Sequence, residues 1–196
     1  MSNMLINMVG GEWQKIKHYY RDAIICLAIF AVSSFAGYLA VVFMGGEAEK
    51  HYEGIKNAIT GGGMPENMFS FILSRNATVS FLVLVLGIFT YSAWPVLVLV
   101  INGAIGGFVV KFHALLYNQY SFEIWLFGIL PHGVPELSAL FLAAGSTFYY
   151  RRLRRRGQFA WSGVMKTYLL VVLPLLFLAA LVETYVTPHL IGRFLL

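Results

Sequence analysis

Five stretches of the chain are apolar for long enough to cross a bilayer, and the polar residues collect between them. A span needs about 20 apolar residues to cover the roughly 30 Å of hydrocarbon. The first stretch, 23–44, follows Lys15, Lys17 and Arg21 and gives way to Gly45, Gly46 and Glu47. A signal peptide also starts basic, but its apolar part is shorter, roughly 7–15 residues, and ends at small residues. A retained anchor is therefore expected. A loop of mixed charge, 45–75, comes next, and 51–59 within it has the pattern of a short amphipathic helix lying on the membrane. The second stretch, 76–91, stops at Ser92, Ala93, Trp94 and Pro95. Proline fits the first turn of a helix, so Pro95 opens the third stretch, 96–117, and the two form a hairpin with a tight turn. The fourth, 122–150, would be about 43 Å long if straight, more than the hydrocarbon is thick. It contains Pro131 and Pro135, and a helix kinked or broken between Pro131 and Glu136 is the economical expectation. The fifth, 162–187, contains Pro174.

This pattern predicts an all-α membrane protein of about five transmembrane helices in a single domain, 1–196. Composition agrees: 59% of the 196 residues are hydrophobic and 12% charged, and mean hydropathy is +0.72. Soluble domains are about a quarter charged. No polar stretch exceeds about thirty residues, too few to hold a core of their own. The formal net charge of +5 would raise nucleic acid as a partner for a soluble protein. Here the basic residues crowd at the edges of apolar stretches, where bilayer topology puts them, so lipid is the expected partner and nucleic acid is not. Lys15, Lys17 and Arg21 place the N-terminus in the cytoplasm, and the cluster Arg151, Arg152, Arg154, Arg155 and Arg156 is expected to be cytoplasmic too. Five crossings then put the 45–75 loop and the C-terminus outside. The arginine cluster is expected to anchor on acidic headgroups or to dock a partner. Trp13, Trp94, Trp125 and Trp161 fall near the boundaries, as an aromatic belt does. The one cysteine, Cys26, cannot form a disulfide within the chain.

Ionisable and amide side chains inside apolar stretches are costly, and each points to a site with a partner to be found. At 1.5 Å per residue, Glu136 lies about 20 Å from the outer face, with Asn102 at nearly the same level. His132 is one turn higher, and Glu183, Lys111 and Asn76 fall in the outer leaflet. Two pairings follow: Asn102 hydrogen-bonding Glu136, and Lys111 neutralising Glu183. Pro131, Gly133 and Pro135 free backbone groups that only protein or water can satisfy. A His and a Glu thus meet beside irregular backbone at membrane depth, as in transporter sites. The bland alternative is a kink whose polar groups only bond each other. His132 and Glu136 alone are too few ligands for a metal, and Glu183 joins them only if the break brings it closer. No metal and no cofactor is therefore expected. Phosphate loops, nucleophile elbows and zincin helices are absent from the sequence, which leans away from an enzyme. Asn102, Gly103, Gly106 and Gly107 mark a small-residue face that would permit tight self-association.

The segment Ile129-Leu130-Pro131-His132-Gly133-Val134-Pro135-Glu136-Leu137 resembles the most recognisable motif of the stage II sporulation protein M family, with Pro135 where an aliphatic residue is more usual. Asn76, Gly87, Asn102 with Gly103, Ala180 to Glu183, and Thr187 with Pro188 are similar too, and the resemblance covers about 69–188. It implies a non-enzymatic membrane scaffold that organises envelope partners, as the family's namesake is understood to do in septal thinning and engulfment. The alternative, from the polar residues alone, is a small-solute or ion transporter or channel lined by His132, Glu136 and Asn102.

Overall fold

The computed structural model describes residues 2–45, 66–116 and 119–195, and these are helical with no strand. Helix α1, Ser2–Lys15, leads through one 3-10 turn, Ile16–His18, into α2, Tyr20–Met44. Three more long helices and a fourth follow: α3, Met68–Phe89; α4, Ala93–Leu116; α5, Ser121–Arg155; and α6, Trp161–Phe194. Helices α2 to α6 are each long and apolar enough to cross a membrane. The expected helix at 51–59 lies outside the described residues.

Each helix extends beyond its expected bounds, and local chemistry accounts for it. Asn67 caps α3, its side-chain oxygen accepting from the Ser70 backbone N–H at 2.9 Å. The helix therefore begins at Met68, and Arg75 lies inside it rather than in the preceding loop. Gly45, at φ +53°, stops α2, and Gly157, at φ +69°, stops α5 after the arginine cluster has formed its last turns. The Gln158 N–H returns to the Leu153 carbonyl at 3.0 Å, closing that end as glycine-stopped helices do. Helix α6 passes through Thr187 and Pro188 instead of ending there.

The irregular turn of α5 lies just before the 131–136 motif rather than within it. Helix α5 widens into a π-helical stretch at Ile124–Ile129, while Pro135 sits within regular helix. The same device occurs twice in α6, at Tyr168–Val172 and Val182–Val186. Each of the three wide stretches ends two residues before a proline: Pro131, Pro174 or Pro188. Proline has no N–H and its ring crowds the carbonyl four residues back. A wider turn on the N-terminal side moves that carbonyl away, so the helix continues through the proline instead of breaking.

Helix α5 is the centre, with α2, α3 and α6 against it, and α4 packs mainly along α2 and also touches α3 and the start of α5. The core of Val83, Leu84, Leu99, Ala139, Ala143, Ala144, Val172 and Leu176 is buried. Outward, the pattern is that of a protein in lipid: Val32, Phe35 and Phe43 of α2 are 71%, 63% and 84% exposed. Helices α2 and α4 approach closely enough for their backbones to touch. A methyl on Gly107 would land on the Ser34 carbonyl, and one on Gly37 on the Ala104 carbonyl. The small-residue face is therefore used within the chain. Gly103 belongs to the same seam, against Ser33 and Phe30, whereas Gly106 points into open space.

The helices alternate in direction. One end of the bundle gathers the starts of α2, α4 and α6 and the ends of α3 and α5. Arg152 ties it together by bonding Asp22 at 3.0 Å, as Tyr150 does by donating to the Gly163 carbonyl at 2.7 Å. The opposite end joins the close of α6 to the approach of α5, with Phe127 and Phe194 stacked at 4.3 Å and Gln119 donating to the Leu195 carbonyl.

A candidate polar site inside the bundle

Helices α3 and α4 join at the arginine-rich end and part toward the other. Between them opens a cavity of about 500 Å³ whose floor is α5 and α6. Arg75, Asn102, Ile101 and Ile105 are exposed at its mouth, and Glu136, Glu183, Ser80, Leu140 and Leu176 line the interior. Two carboxylates, a guanidinium and two amides, of Asn76 and Asn102, thus share one hollow in an otherwise apolar bundle. Groups of this kind at such depth are rare without a ligand or a pairing role.

The 131–136 motif brings Glu136 to this floor from α5, and His132, one turn back on the same face, stands behind it without lining the cavity. Glu183 comes from the π-helical stretch Val182–Val186 of α6. One ligating atom each from His132, Glu136 and Glu183 lies within 4.8 Å of the other two. His132 Nδ1 is 3.1 Å from Thr187 Oγ1, and that hydroxyl donates to the Val182 carbonyl at 3.2 Å. With the one threonine proton so used, Nδ1 is the donor to Thr187 and Nε2 keeps its lone pair. The wide turn in α6 is what turns both Glu183 and Thr187 toward α5. Arg75 acts electrostatically on Glu136 and on Glu183 but makes no ion pair within 4 Å among the described residues.

The two expected pairings are not formed. Asn102 Nδ2 donates to the Val98 carbonyl of its own helix at 2.8 Å, so its amide shares the cavity with Glu136 without bonding it. Lys111 lies 5.5 Å from the centre of the Tyr38 ring, on the α2 side of α4, away from Glu183. Depth along each helix brings these residues to one level but does not fix which way a helix face points. Asn76 lines the cavity, with its carbonyl accepting from Ser80 Oγ at 2.8 Å. Gly133 is buried and spaced by Ile129, while Pro131 and Pro135 face a separate shallow groove toward α6.

Sequence reasoning missed Arg75 and the role of Thr187. Asn67 followed by the apolar Met68, Phe69, Phe71 and Ile72 is the signal that would have started α3 early and placed Arg75 inside it. The arginine cluster divides. Arg151 donates to the Tyr91 carbonyl, Arg152 pairs with Asp22, and Arg154 lies 4.9 Å over the Phe89 ring. Arg155 and Arg156 are exposed and make no ion pair among the described residues.

The family model of stage II sporulation protein M matches residues 26–188, which includes every residue of the cavity. No curated protein and no solved structure matches the chain. The chain belongs to the stage II sporulation protein M family.

Proposed function

For this member of the stage II sporulation protein M family, we propose a polytopic membrane protein that binds a small polar solute or ion in its intramembrane cavity and moves it across the bilayer. One observation carries the reading: Glu136 and Glu183 share a 500 Å³ hollow with Arg75 and Asn102 instead of being sealed against one another. Buried ionisable groups beside irregular helix at membrane depth are how transport sites are built. The basic residues support an orientation with the arginine-rich end in the cytoplasm, the N-terminus inside and the C-terminus outside a prokaryotic cytoplasmic membrane. The cavity then lies toward the outer face.

A second reading, the non-enzymatic scaffold, rests on family membership and on Arg155 and Arg156, exposed for headgroups or for other envelope proteins. Homo-oligomers remain open to either reading through surfaces other than the glycine seam. Currents on solid-supported membranes carrying the purified protein separate the two, with Na⁺, K⁺ and a panel of amino acids and small anions supplied in turn. Transport predicts a solute-dependent signal above that of protein-free membranes, lost in Glu136→Gln. A scaffold gives no signal for any solute.

A further inference from the structure

His132, Glu136 and Glu183 have the composition and closeness of a metal site rather than of a hydrogen-bonded kink. We propose that these three side chains bind a divalent transition-metal cation on the cavity floor, with its remaining positions open to the cavity. The proposal takes from the proposed function only that the cavity is a ligand site, and it holds whether or not anything crosses the membrane.

Three observations support it. The ligating atoms come from two helices and lie within 4.8 Å of one another. In a tetrahedral site with metal–ligand distances of 2.0–2.2 Å, donors stand about 3.4 Å apart. Closure by up to about 1.4 Å, within the reach of glutamate side-chain rotation, completes the set. Second, the Nδ1 bond to Thr187 at 3.1 Å orients the imidazole and leaves Nε2 as the lone-pair nitrogen. A partner on the other ring nitrogen is what a metal-binding histidine has. Third, the charges are unbalanced. Two carboxylates face the floor, and Arg75, which acts on both, makes no ion pair with either within 4 Å among the described residues. A divalent ion supplies the counter-charge where hydrocarbon supplies none.

The donor set selects the ion class. Imidazole nitrogen favours zinc, iron, cobalt or nickel over magnesium and calcium, while the two carboxylates admit manganese as well. Three protein donors leave room for water or for a solute in the cavity, as in open metal sites.

The test is metal binding by the purified full-length protein in detergent after treatment with a chelator. Cobalt(II) is titrated by absorption and zinc by competition with cobalt, with magnesium as the comparison. One cobalt per chain is expected, displaced by zinc and not by equimolar magnesium. His132→Ala, Glu136→Gln and Glu183→Gln should each weaken binding tenfold or more. Thr187→Val, which leaves the ligands in place, should weaken it about 10–100-fold by releasing the imidazole. His189→Ala should bind as the parent does. Where Glu136→Gln fails to fold, Glu183→Gln and Thr187→Val decide. No cobalt bound at millimolar concentration, or less than a tenfold change in His132→Ala and Glu183→Gln, overturns the proposal. Because the readout is binding, a protein that binds metal yet carries no current would refute transport and leave the metal site standing.

Discussion

Arg151, in the last turns of α5, donates from Nη1 to the backbone carbonyl of Tyr91, 2.8 Å away, in the turn between α3 and α4. Its guanidinium also lies 6.0 Å from the Tyr91 ring centre and 5.7 Å from that of Phe148. The turn it grips is an unusual one. Tyr91 and Ser92 both have left-handed backbones, at φ +53° and +68°, without a glycine between them. Such a conformation costs about 1–2 kcal/mol per residue for L-amino acids. A tertiary contact is what holds it.

Arg151→Lys keeps the charge but cannot stack and bond the carbonyl with one planar group. The expected cost is about 1 kcal/mol, seen as a lower thermal midpoint in detergent. Tyr91→Gly should restore part of that loss in the Arg151→Lys background, because glycine adopts positive φ freely. If Arg151→Lys unfolds at the parent's temperature, the grip is not what holds the turn.

The seam between α2 and α4 gives a sharper contrast between adjacent glycines. A methyl at Gly107 would collide with the Ser34 carbonyl, and backbone cannot move aside as a side chain can. Gly107→Ala should destabilise by about 1–3 kcal/mol or more. Gly106 faces nothing within 4 Å, so Gly106→Ala should be neutral, or stabilising by up to about 1 kcal/mol through helix propensity. Equal thermal midpoints for the two variants would contradict this packing.

Tyr19, beside the first span, is 1% exposed, and its hydroxyl finds no hydrogen bond among the described residues. Burial pushes its phenol above the ordinary range, with Tyr150, Glu12 and Tyr149 adding to the effect. A raised folded-state pKa means that the folded protein holds its proton longer than the unfolded one, whose tyrosine titrates near pH 10. The resulting stability is fully present below about pH 10 and is lost as pH rises above it. Tyr19→Phe should therefore be neutral or slightly stabilising at pH 7 and should flatten the alkaline decline of the thermal midpoint. A parallel decline in both proteins would count against Tyr19 as its source.

Much of the fold was legible because crossing a bilayer is a local demand. Any 20-residue window either satisfies it or does not. The boundaries were less legible, since in sequence a charge marks the edge of an apolar stretch. Arg75 shows otherwise: it enters α3 behind a cap at Asn67, where a cavity receives its guanidinium. The motif of Pro131, His132, Gly133 and Glu136 was legible as a site but incompletely so. Its third member, Glu183, comes from α6, and its supporting hydroxyl from Thr187.

By itself, then, the sequence determined that this chain lives in a bilayer, that it crosses in about five helices, and which polar residues travel with them. Tertiary structure decided which of those residues meet. It set Glu183 beside Glu136 and His132 rather than Lys111, and it placed the glycine face between α2 and α4 rather than between copies. For His132, Glu136 and Glu183 the physical reason lies in the three wide turns of α5 and α6, before Pro131, Pro174 and Pro188. One extra residue in a turn rotates every later side chain by about 100° relative to a straight helix. Hydropathy fixes depth within the membrane, but only the packed helices fix azimuth.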